Sequence, residues 1–277
     1  MRMLVVDAFT DRAFAGNPAG VCLLREAADP AWMQRVAAEM KHSETAFVRP
    51  VEAPDADFEL RWFTPLVEVA LCGHATLAAA HALFDTGTAD PGAPIRFRTL
   101  HSGVLTVGRD GDGDGPGDGG GTLSMDFPAV PPERIDVPDG LAAALGAEVR
   151  WAGRNAQNDV LAEVADEAAV RARPDVGALA AVDARGAIVT APADGDAGPD
   201  FVSRFFAPRV LPGDAEDPVT GSAHCALAPF WAARFGRGAL TGYQASPRGG
   251  LVRVALRGDR VVLSGSAVIV LDGTFRG

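Results

Sequence analysis

Two segments constrain the fold of this chain more than any other feature. GHATLAAAHALF at residues 73–84 and GSAHCALAPFWAARF at residues 221–235 each start with glycine and continue as an almost wholly apolar helix. A helix that is apolar all round has to be buried on every side. Each half of the chain is therefore expected to wrap strands around one central helix, with the two glycine-led helix ends facing each other.

Short β-branched runs alternate with alanine-rich segments in the rest of the first half. Strands are predicted over 4–9, 20–24, 45–48 and 58–63, and a helix over 30–41. Asp29 is placed to cap that helix, and Pro30 takes its first position, where a missing N–H costs nothing. Such a mixture indicates an α/β or α+β protein.

The chain has 277 residues, which favours two domains or one large one. The proline-rich stretch AVPPERIDVP at 129–138 follows a predicted strand and is typical of a boundary. We therefore expect domains over 1–128 and 129–277, with the last strand able to pack back on the first domain.

The segment DGDGDGPGDGGG at 110–121 lies between two strand-like runs, 104–107 and 122–125. It is predicted to be the tip of a long hairpin rather than a linker. Its Asp110, Asp112 and Asp114 match the opening of a calcium loop, but Gly121 stands where that loop needs a bidentate glutamate. No calcium site is predicted there.

Composition excludes several classes of function. The formal net charge of −11 and the pI near 4.9, with charges dispersed along the chain, argue against a nucleic-acid partner. No signal-peptide pattern and no apolar run long enough to span a bilayer occur, which predicts a cytoplasmic protein without a membrane partner. Cys22, Cys72 and Cys225 lie far apart, so neither disulfides nor a zinc site is expected.

No glycine-rich nucleotide motif and no metal-ligand spacing occurs, so the expected cofactor is none and the expected metal is none. His81 and His224 lie on the apolar helices and are predicted to be core histidines. Helix N-termini, by contrast, attract carboxylates, and glycine permits close approach. Gly73 with His74, and Gly221 with Ser222, would together clamp an anionic substrate; alternatively, the glycines only pack helices against strands.

Two carboxylates are candidates for proton chemistry. Glu44 lies in HSETAFV at 42–48, at the entry to a strand whose neighbours suggest a partly buried edge. Desolvation there would raise the carboxylate pKa toward the value that a general base needs; the alternative is a solvated turn residue. Asp217 precedes Pro218, which favours an extended conformation before the second apolar helix; its alternative role is a turn or a cap.

These segments together resemble the PhzF-like isomerases, a family named for a phenazine-biosynthesis enzyme and related in fold to diaminopimelate epimerase. They run in family order across nearly the whole chain. The resemblance rests on DAFTDRAFAGNPAGVCLL at 7–24, SETAFV at 43–48, RWFTPLVEVALCGHATLAAAHAL at 61–83, SRFFAP at 203–208, EDPVTGSAHCAL at 216–227 and QASPRGG at 244–250.

The resemblance implies an α+β fold of two similar domains, each a mixed sheet wrapped around a central apolar helix, with the active site between them and a homodimer as the usual assembly. It also implies a cofactor-independent isomerase that acts on a small carboxylate-bearing substrate. Glu44 corresponds to the family's acid/base residue, and His74 and Asp217 to its polar neighbours. The resemblance further implies that Asn17, Gly73, Gly221 and Ser222 bind the substrate.

One departure bears on the mechanism. Diaminopimelate epimerase uses two cysteines, one at the head of each central helix, whereas this chain has Cys72 at the first position and no cysteine within 217–221. Cys225 lies about one turn too far along the helix. A single-glutamate mechanism is therefore favoured. The alternatives are an amino-acid epimerase that uses Cys72 and an opposed base, and a noncatalytic binding protein that retains the cleft.

Overall fold

The computed structural model describes residues 1–109, 121–195, 198–211 and 215–277. The expected hairpin tip and its calcium-like aspartates thus lie outside the described residues, except for Gly121. The chain divides into two compact units, of which the first comprises residues 1–126 and 264–277 and the second residues 127–263. The sequence placed the boundary after residue 128, at nearly the same point in the chain.

The elements follow one another in this order. The first unit contains β1 (Arg2–Ala8), β2 (Asn17–Leu23), α1 (Pro30–Met40), β3 (Glu44–Ala53), β4 (Ala56–Phe63), β5 (Glu68–Val69), α2 (Gly73–Asp85), β6 (Ile95–Arg98), β7 (Val104–Arg109) and most of β8 (Leu123–Pro128). The second contains β9 (Glu133–Arg134), α3 (Leu141–Leu145), β10 (Trp151–Arg154), β11 (Asp159–Glu163), α4 (Glu167–Arg171), α5 (Val176–Leu179), β12 (Gly186–Pro192), β13 (Phe201–Phe206), β14 (Glu216–Asp217), α6 (Gly221–Phe235), β15 (Ala239–Gln244), β16 (Gly250–Arg257) and most of β17 (Arg260–Gly265). The chain returns to the first unit with β18 (Ala267–Thr274).

The first unit is a mixed sheet around α2. Strand β1 pairs antiparallel with both β2 and β18, β2 runs parallel to β3, and β3 pairs antiparallel with β4. Strand β4 then runs parallel to β6, and β6, β7 and β8 pair antiparallel in succession. Helix α2 packs against β1, β2, β3 and β18, and ten of its thirteen residues are buried. The prediction of a buried central helix is confirmed here.

Helix α1 begins and ends as its sequence indicates. The Asp29 carboxylate accepts a hydrogen bond from the N–H of Ala31 at 3.0 Å, and Pro30 is the first helical residue. Lys41 ends the helix in the left-handed conformation at φ 58°. The turn that follows brings the chain directly into β3, whose first residue is Glu44 rather than the predicted Thr45.

The second unit repeats the design. Strands β10 and β11 are antiparallel, β11 and β12 parallel, β12 and β13 antiparallel, β13 and β15 parallel, and β15 and β16 antiparallel. Helix α6 packs on β15 and β16. The Trp231 ring stacks on Phe201 at 5.9 Å, and its indole N–H donates to Thr190 Oγ1 at 3.0 Å. The predicted second central helix is therefore present. None of the helices in the described ranges is both long and apolar enough to cross a membrane.

Candidate active site

Glu44 is positioned by two neighbouring strands. It is the first residue of β3 and pairs with Ala19 of the parallel strand β2. The left-handed Lys41 that ends α1 leaves only a short turn before it, so its backbone is fixed on both sides. Its side chain is 15% exposed. Glu44 thus combines a rigid backbone with a small opening to solvent, which suits a group that exchanges protons with a ligand.

His74 is the second residue of α2, and its ring lies against Glu44. Nε2 of His74 is 3.4 Å from Oε2 of Glu44, and the histidine side chain is only 5% exposed. Burial is the main cause that lowers the pKa of His74 to about 3. The imidazole is therefore neutral at physiological pH, so one ring nitrogen carries a hydrogen and the other is an acceptor.

Asn17 and Ser43 complete the surroundings of the His74 ring. Asn17 begins β2 and is fully buried. The Ser43 hydroxyl lies 3.4 Å from both Asn17 Oδ1, to which it donates, and Nε2 of His74. Gly73, the first residue of α2, follows the N-cap Cys72, and no side chain caps this helix end. The predicted residues Asn17, Glu44, Gly73 and His74 are thus brought together in the first unit.

Cys72 belongs to the same cluster. Its Sγ lies 3.4 Å from Nδ1 of His74. One ligand atom from each of Glu44, Cys72 and His74 can be chosen so that all lie within 4.8 Å of one another. The search for metal-ligand spacing along the sequence did not find this cluster, because β3 and the start of α2 meet only in the fold. A carboxylate, a thiolate and an imidazole are all ligands that zinc accepts.

Asp217 is the last residue of β14 in the second unit and directly precedes the turn that leads into α6. Its carboxylate accepts a short hydrogen bond from the Thr220 hydroxyl. Gln244, at the end of β15, donates from Nε2 to the Asp217 carbonyl at 2.6 Å and accepts from the Thr220 N–H at 2.8 Å. Gln244 is fully buried. The nitrogen and the oxygen of its side-chain amide therefore each bind the turn, and together they fix the position of the Asp217 carboxylate.

Gly221 and Ser222 are the first two residues of α6. Gly221 is buried and Ser222 is half-buried. No side chain caps this helix either. His224 is fully buried, its Nδ1 lies 2.8 Å from the Thr220 carbonyl oxygen, and burial lowers the pKa of His224 to about 4. The second central helix therefore starts as the first does. Each begins with glycine, has no side-chain cap at its N-terminus and carries a neutral buried histidine in its first turns.

Residue types and spacing alone did not single out Ser43 and Gln244. Both lie inside motifs that carry the family resemblance, SETAFV and QASPRGG, but serine and glutamine have many roles in proteins. Ser43 directly precedes Glu44, and that adjacency was the available signal. Gln244 offered none, since its partners Asp217 and Thr220 come close only when β15 lies beside the turn before α6.

Comparison with known proteins gives the family. The family model described as phenazine biosynthesis-like protein, PhzC-PhzF, matches residues 6–273. An uncharacterized isomerase of Halalkalibacterium halodurans is 44% identical over 269 residues, which cover 96% of this chain and 95% of that protein. An uncharacterized isomerase of Pseudomonas aeruginosa is 46% identical over 270 residues, with 97% and 96% covered.

Solved structures agree with this assignment. A phenazine biosynthesis protein of the PhzF family from Enterococcus faecalis superposes with a TM-score of 0.87 at 38% identity, covering 98% of this chain and 97% of that one. A probable proline racemase from Agrobacterium radiobacter, at 14% identity, superposes with a TM-score of 0.62 over 99% of this chain and 92% of that one. The second likeness shows the fold alone, which is diaminopimelate epimerase-like and α+β. The chain therefore belongs to the PhzC-PhzF family of phenazine biosynthesis-like proteins and is an isomerase of that family.

Proposed function

We propose that the protein isomerises a small carboxylate-bearing substrate without a cofactor, and that Glu44 moves the proton. The observation that carries this proposal is the contact of 3.4 Å between Oε2 of Glu44 and Nε2 of the buried His74. The buried ring limits the orientation of the carboxylate, and a shortening of this contact lets the neutral imidazole donate to Oε2 and leaves the other oxygen for the substrate. Contacts of this kind are often long in the absence of ligand and shorten when substrate binds.

The start of α2 supplies the second element of the mechanism. A helix N-terminus carries roughly half a positive charge, and its first N–H groups have no partner within the helix. No side chain caps α2, so these groups are suited to bind a substrate carboxylate. They would also stabilise the enolate-like charge that forms when Glu44 removes a proton. This geometry supports a carboxylate-bearing substrate with an acidic C–H near the carboxylate.

The residues around the second uncapped helix are proposed to bind substrate. Asp217 offers a carboxylate for an amine or a hydroxyl, and Gly221 and Ser222 offer the N–H groups of α6. The turn fixed by Gln244 supports this role, because a binding group gains affinity when it is held in place before the ligand arrives. Asn17 is proposed to bind substrate in the first unit, beside Ser43.

Epimerisation by Cys72 is the second candidate. Two bases on opposite faces of one carbon would each lie about 3–3.5 Å from it, and hence roughly 6–7 Å apart. The ligand atoms of Cys72 and Glu44 lie within 4.8 Å of each other, which disfavours them as an opposed pair. An epimerase would need another group opposite Cys72. The spacing therefore supports transfer by Glu44 on one face of the substrate.

Replacement of Glu44 tests the proposal. A screen of small unsaturated and amino acids in deuterated water would first identify a compound whose C–H exchanges with solvent. Glu44→Gln keeps the shape but removes the base, so turnover should fall by roughly 10²- to 10⁴-fold. Glu52→Gln is the matched control, since Glu52 is an exposed residue of the same strand. A fully active Glu44→Gln variant would refute the proposal, and loss of one-face exchange in Cys72→Ala would favour the epimerase.

A further inference from the structure

Cys72, His74 and Glu44 form a chain in which the imidazole is the middle member. Sγ of Cys72 lies 3.4 Å from Nδ1 of His74, and Oε2 of Glu44 lies 3.4 Å from Nε2 on the opposite side of the ring. A neutral imidazole donates at one nitrogen and accepts at the other, and the two nitrogens can exchange these roles. The ring is therefore able to pass a proton between its two neighbours.

The surrounding hydrogen bonds favour one tautomer of the His74 ring. The Ser43 hydroxyl donates to Asn17 Oδ1, so its oxygen is left to accept from Nε2 of His74, which lies 3.4 Å away. Nε2 then carries the hydrogen and donates to Ser43, while Oε2 of Glu44 lies 3.4 Å from the same nitrogen without a hydrogen bond between them. Nδ1 is the acceptor and receives the S–H of Cys72. The resting arrangement is thus a thiol, a neutral imidazole and a carboxylate.

We propose that Cys72 is a proton reservoir for Glu44 and that His74 relays the proton between them. This rests on the proposed role of Glu44 in catalysis. In the relay the S–H bond of Cys72 and the Nε2–H bond of His74 break, while an Nδ1–H bond and an O–H bond to Oε2 of Glu44 form. The group of three carries one negative charge before and after the transfer, and the charge moves from the carboxylate to the thiolate.

The relay allows Glu44 to begin a reaction cycle as either a base or an acid. In the resting arrangement it is a carboxylate that removes a proton; after the transfer it is a carboxylic acid that donates one. No water molecule has to enter, and burial suits this, because Cys72 is 8% exposed and His74 is 4% exposed. The site can therefore start with proton removal or with proton addition, as an isomerase that works in both directions requires.

A metal ion is the other occupant that these three residues would suit. Zinc bound by all three would take one nitrogen of His74 and would draw Cys72 and Glu44 toward that same nitrogen. The two residues instead contact opposite nitrogens. The relay needs only a shortening of these two 3.4 Å contacts, whereas a single ion requires a rearrangement of the thiol or the carboxylate.

The relay predicts a reversal of the His74 tautomer, which can be measured without substrate. In protein labelled with ¹⁵N at histidine, the His74 resonances should report a neutral ring with the hydrogen on Nε2 at neutral pH. As the pH rises and the Cys72 thiol ionises, which ultraviolet absorbance of the thiolate follows, the hydrogen should move to Nδ1 and donate to sulfur. In Cys72→Ala the ring should keep the Nε2–H tautomer over the same range.

Cys22→Ala is the matched control, because Cys22 is a buried cysteine of the same unit and burial raises the pKa of its thiol to about 12. This variant should behave as the wild type does. In Glu44→Gln the introduced amide can donate to Nε2 and the negative charge is lost, so the Cys72 thiol should ionise about one pH unit lower or more. In the double variant Glu44→Gln/His74→Asn most of that change should disappear.

Three results would overturn the relay. They are an unchanged His74 tautomer while the thiol ionises, a charged imidazolium at neutral pH, and stoichiometric zinc in the purified protein that is lost in Cys72→Ala. Each is separate from the test of the proposed function. If Glu44→Gln stays fully active while the tautomer switches, the catalytic role of Glu44 fails and the proton path remains. If Glu44→Gln loses turnover while the tautomer stays fixed, only the relay fails.

Discussion

The side-chain amide of Gln244 donates a 2.6 Å hydrogen bond to the backbone carbonyl of Asp217. The same amide accepts a hydrogen bond from the N–H of Thr220 at 2.8 Å. A fully buried side chain on β15 thus holds both ends of the turn that presents the Asp217 carboxylate. The position of the Asp217 carboxylate, a candidate binding group of the second unit, therefore depends on Gln244. Gln244 does not itself have to touch the substrate.

Gln244→Leu is expected to lower both stability and catalysis. It leaves the Asp217 carbonyl and the Thr220 N–H without this partner, and a buried polar group that loses its partner costs about 1–3 kcal/mol. Denaturant unfolding measures that loss, and steady-state kinetics should show KM rising more than kcat falls. Gln34→Leu is the control, because Gln34 donates one bond to the Thr64 carbonyl in the other unit. Equal kinetic effects of the two variants would contradict the positioning role.

Protein stability should fall as the solution is made mildly acidic. Burial lowers the pKa of His74 to about 3 and that of His224 to about 4, whereas histidine in an unfolded chain has a pKa near 6.5. Below about pH 6.5 the unfolded state binds protons that the native state does not. The free energy of unfolding should then decrease by roughly 1.4 kcal/mol per pH unit for each histidine, until the native pKa is reached.

Urea unfolding between neutral pH and pH near 5 measures this slope. His224→Asn removes one titrating group while its amide can still donate to the Thr220 carbonyl, so the slope should decrease by about one proton's contribution. A slope that is identical in the His224 variant and the wild type would show that His224 titrates alike in both states.

Small anions are expected to bind at the uncapped helix ends. Neither α2 nor α6 has a side-chain cap, and the helix dipole favours negative charge there. A crystal structure with sulfate or acetate should show the anion beside the N–H groups that start at Gly73 or Gly221. The same anions should inhibit turnover competitively. Anion density only elsewhere, with these N–H groups paired to protein, would remove the support for a carboxylate-bearing substrate.

Catalysis is expected to need no metal ion, although Glu44, Cys72 and His74 lie close enough to bind one. Proton transfer by a carboxylate requires only the acid/base group and donors for the developing charge. Protein dialysed against a chelator should therefore retain its full turnover. Activity that is lost with the chelator and restored by one equivalent of a divalent ion would contradict the metal-free mechanism.

Local sequence signals identified the elements that determine the fold. Asp29 and Pro30 fixed the start of α1, and the all-apolar composition of residues 73–84 and 221–235 identified the two central helices, which are buried as expected. These predictions succeeded because helix capping and an unbroken apolar composition depend on residues a few positions apart. The strands were found with boundaries that were too short, since pairing extends β3 to Ala53 beyond its apolar part.

The site was predictable only in part. Glu44 and His74 were named from a motif, but their contact depends on β3 meeting the start of α2, which spacing along the chain does not reveal. The same reason explains the missed cluster with Cys72 and the missed contact of Ser43. Gln244 shows the limit most clearly, because its function comes from a parallel pairing between β13 and β15 that brings β15 beside the turn.

The first unit is assembled from both ends of the sequence. Strand β18 pairs along the whole of β1, Arg2 bonds to Asp272, and the Phe275 N–H donates to the Met1 carbonyl at 2.9 Å. During synthesis on the ribosome, β1 is therefore made early, whereas its partner β18 emerges only after the entire second unit. Until then β1 exposes one unpaired edge, which is a site for mispairing with other nascent chains. The second unit is continuous from 127 to 263 and can therefore complete its sheet first. We expect the contact between Glu44 and His74, which lies in the first unit, to reach its final geometry late in folding, after β18 has paired with β1.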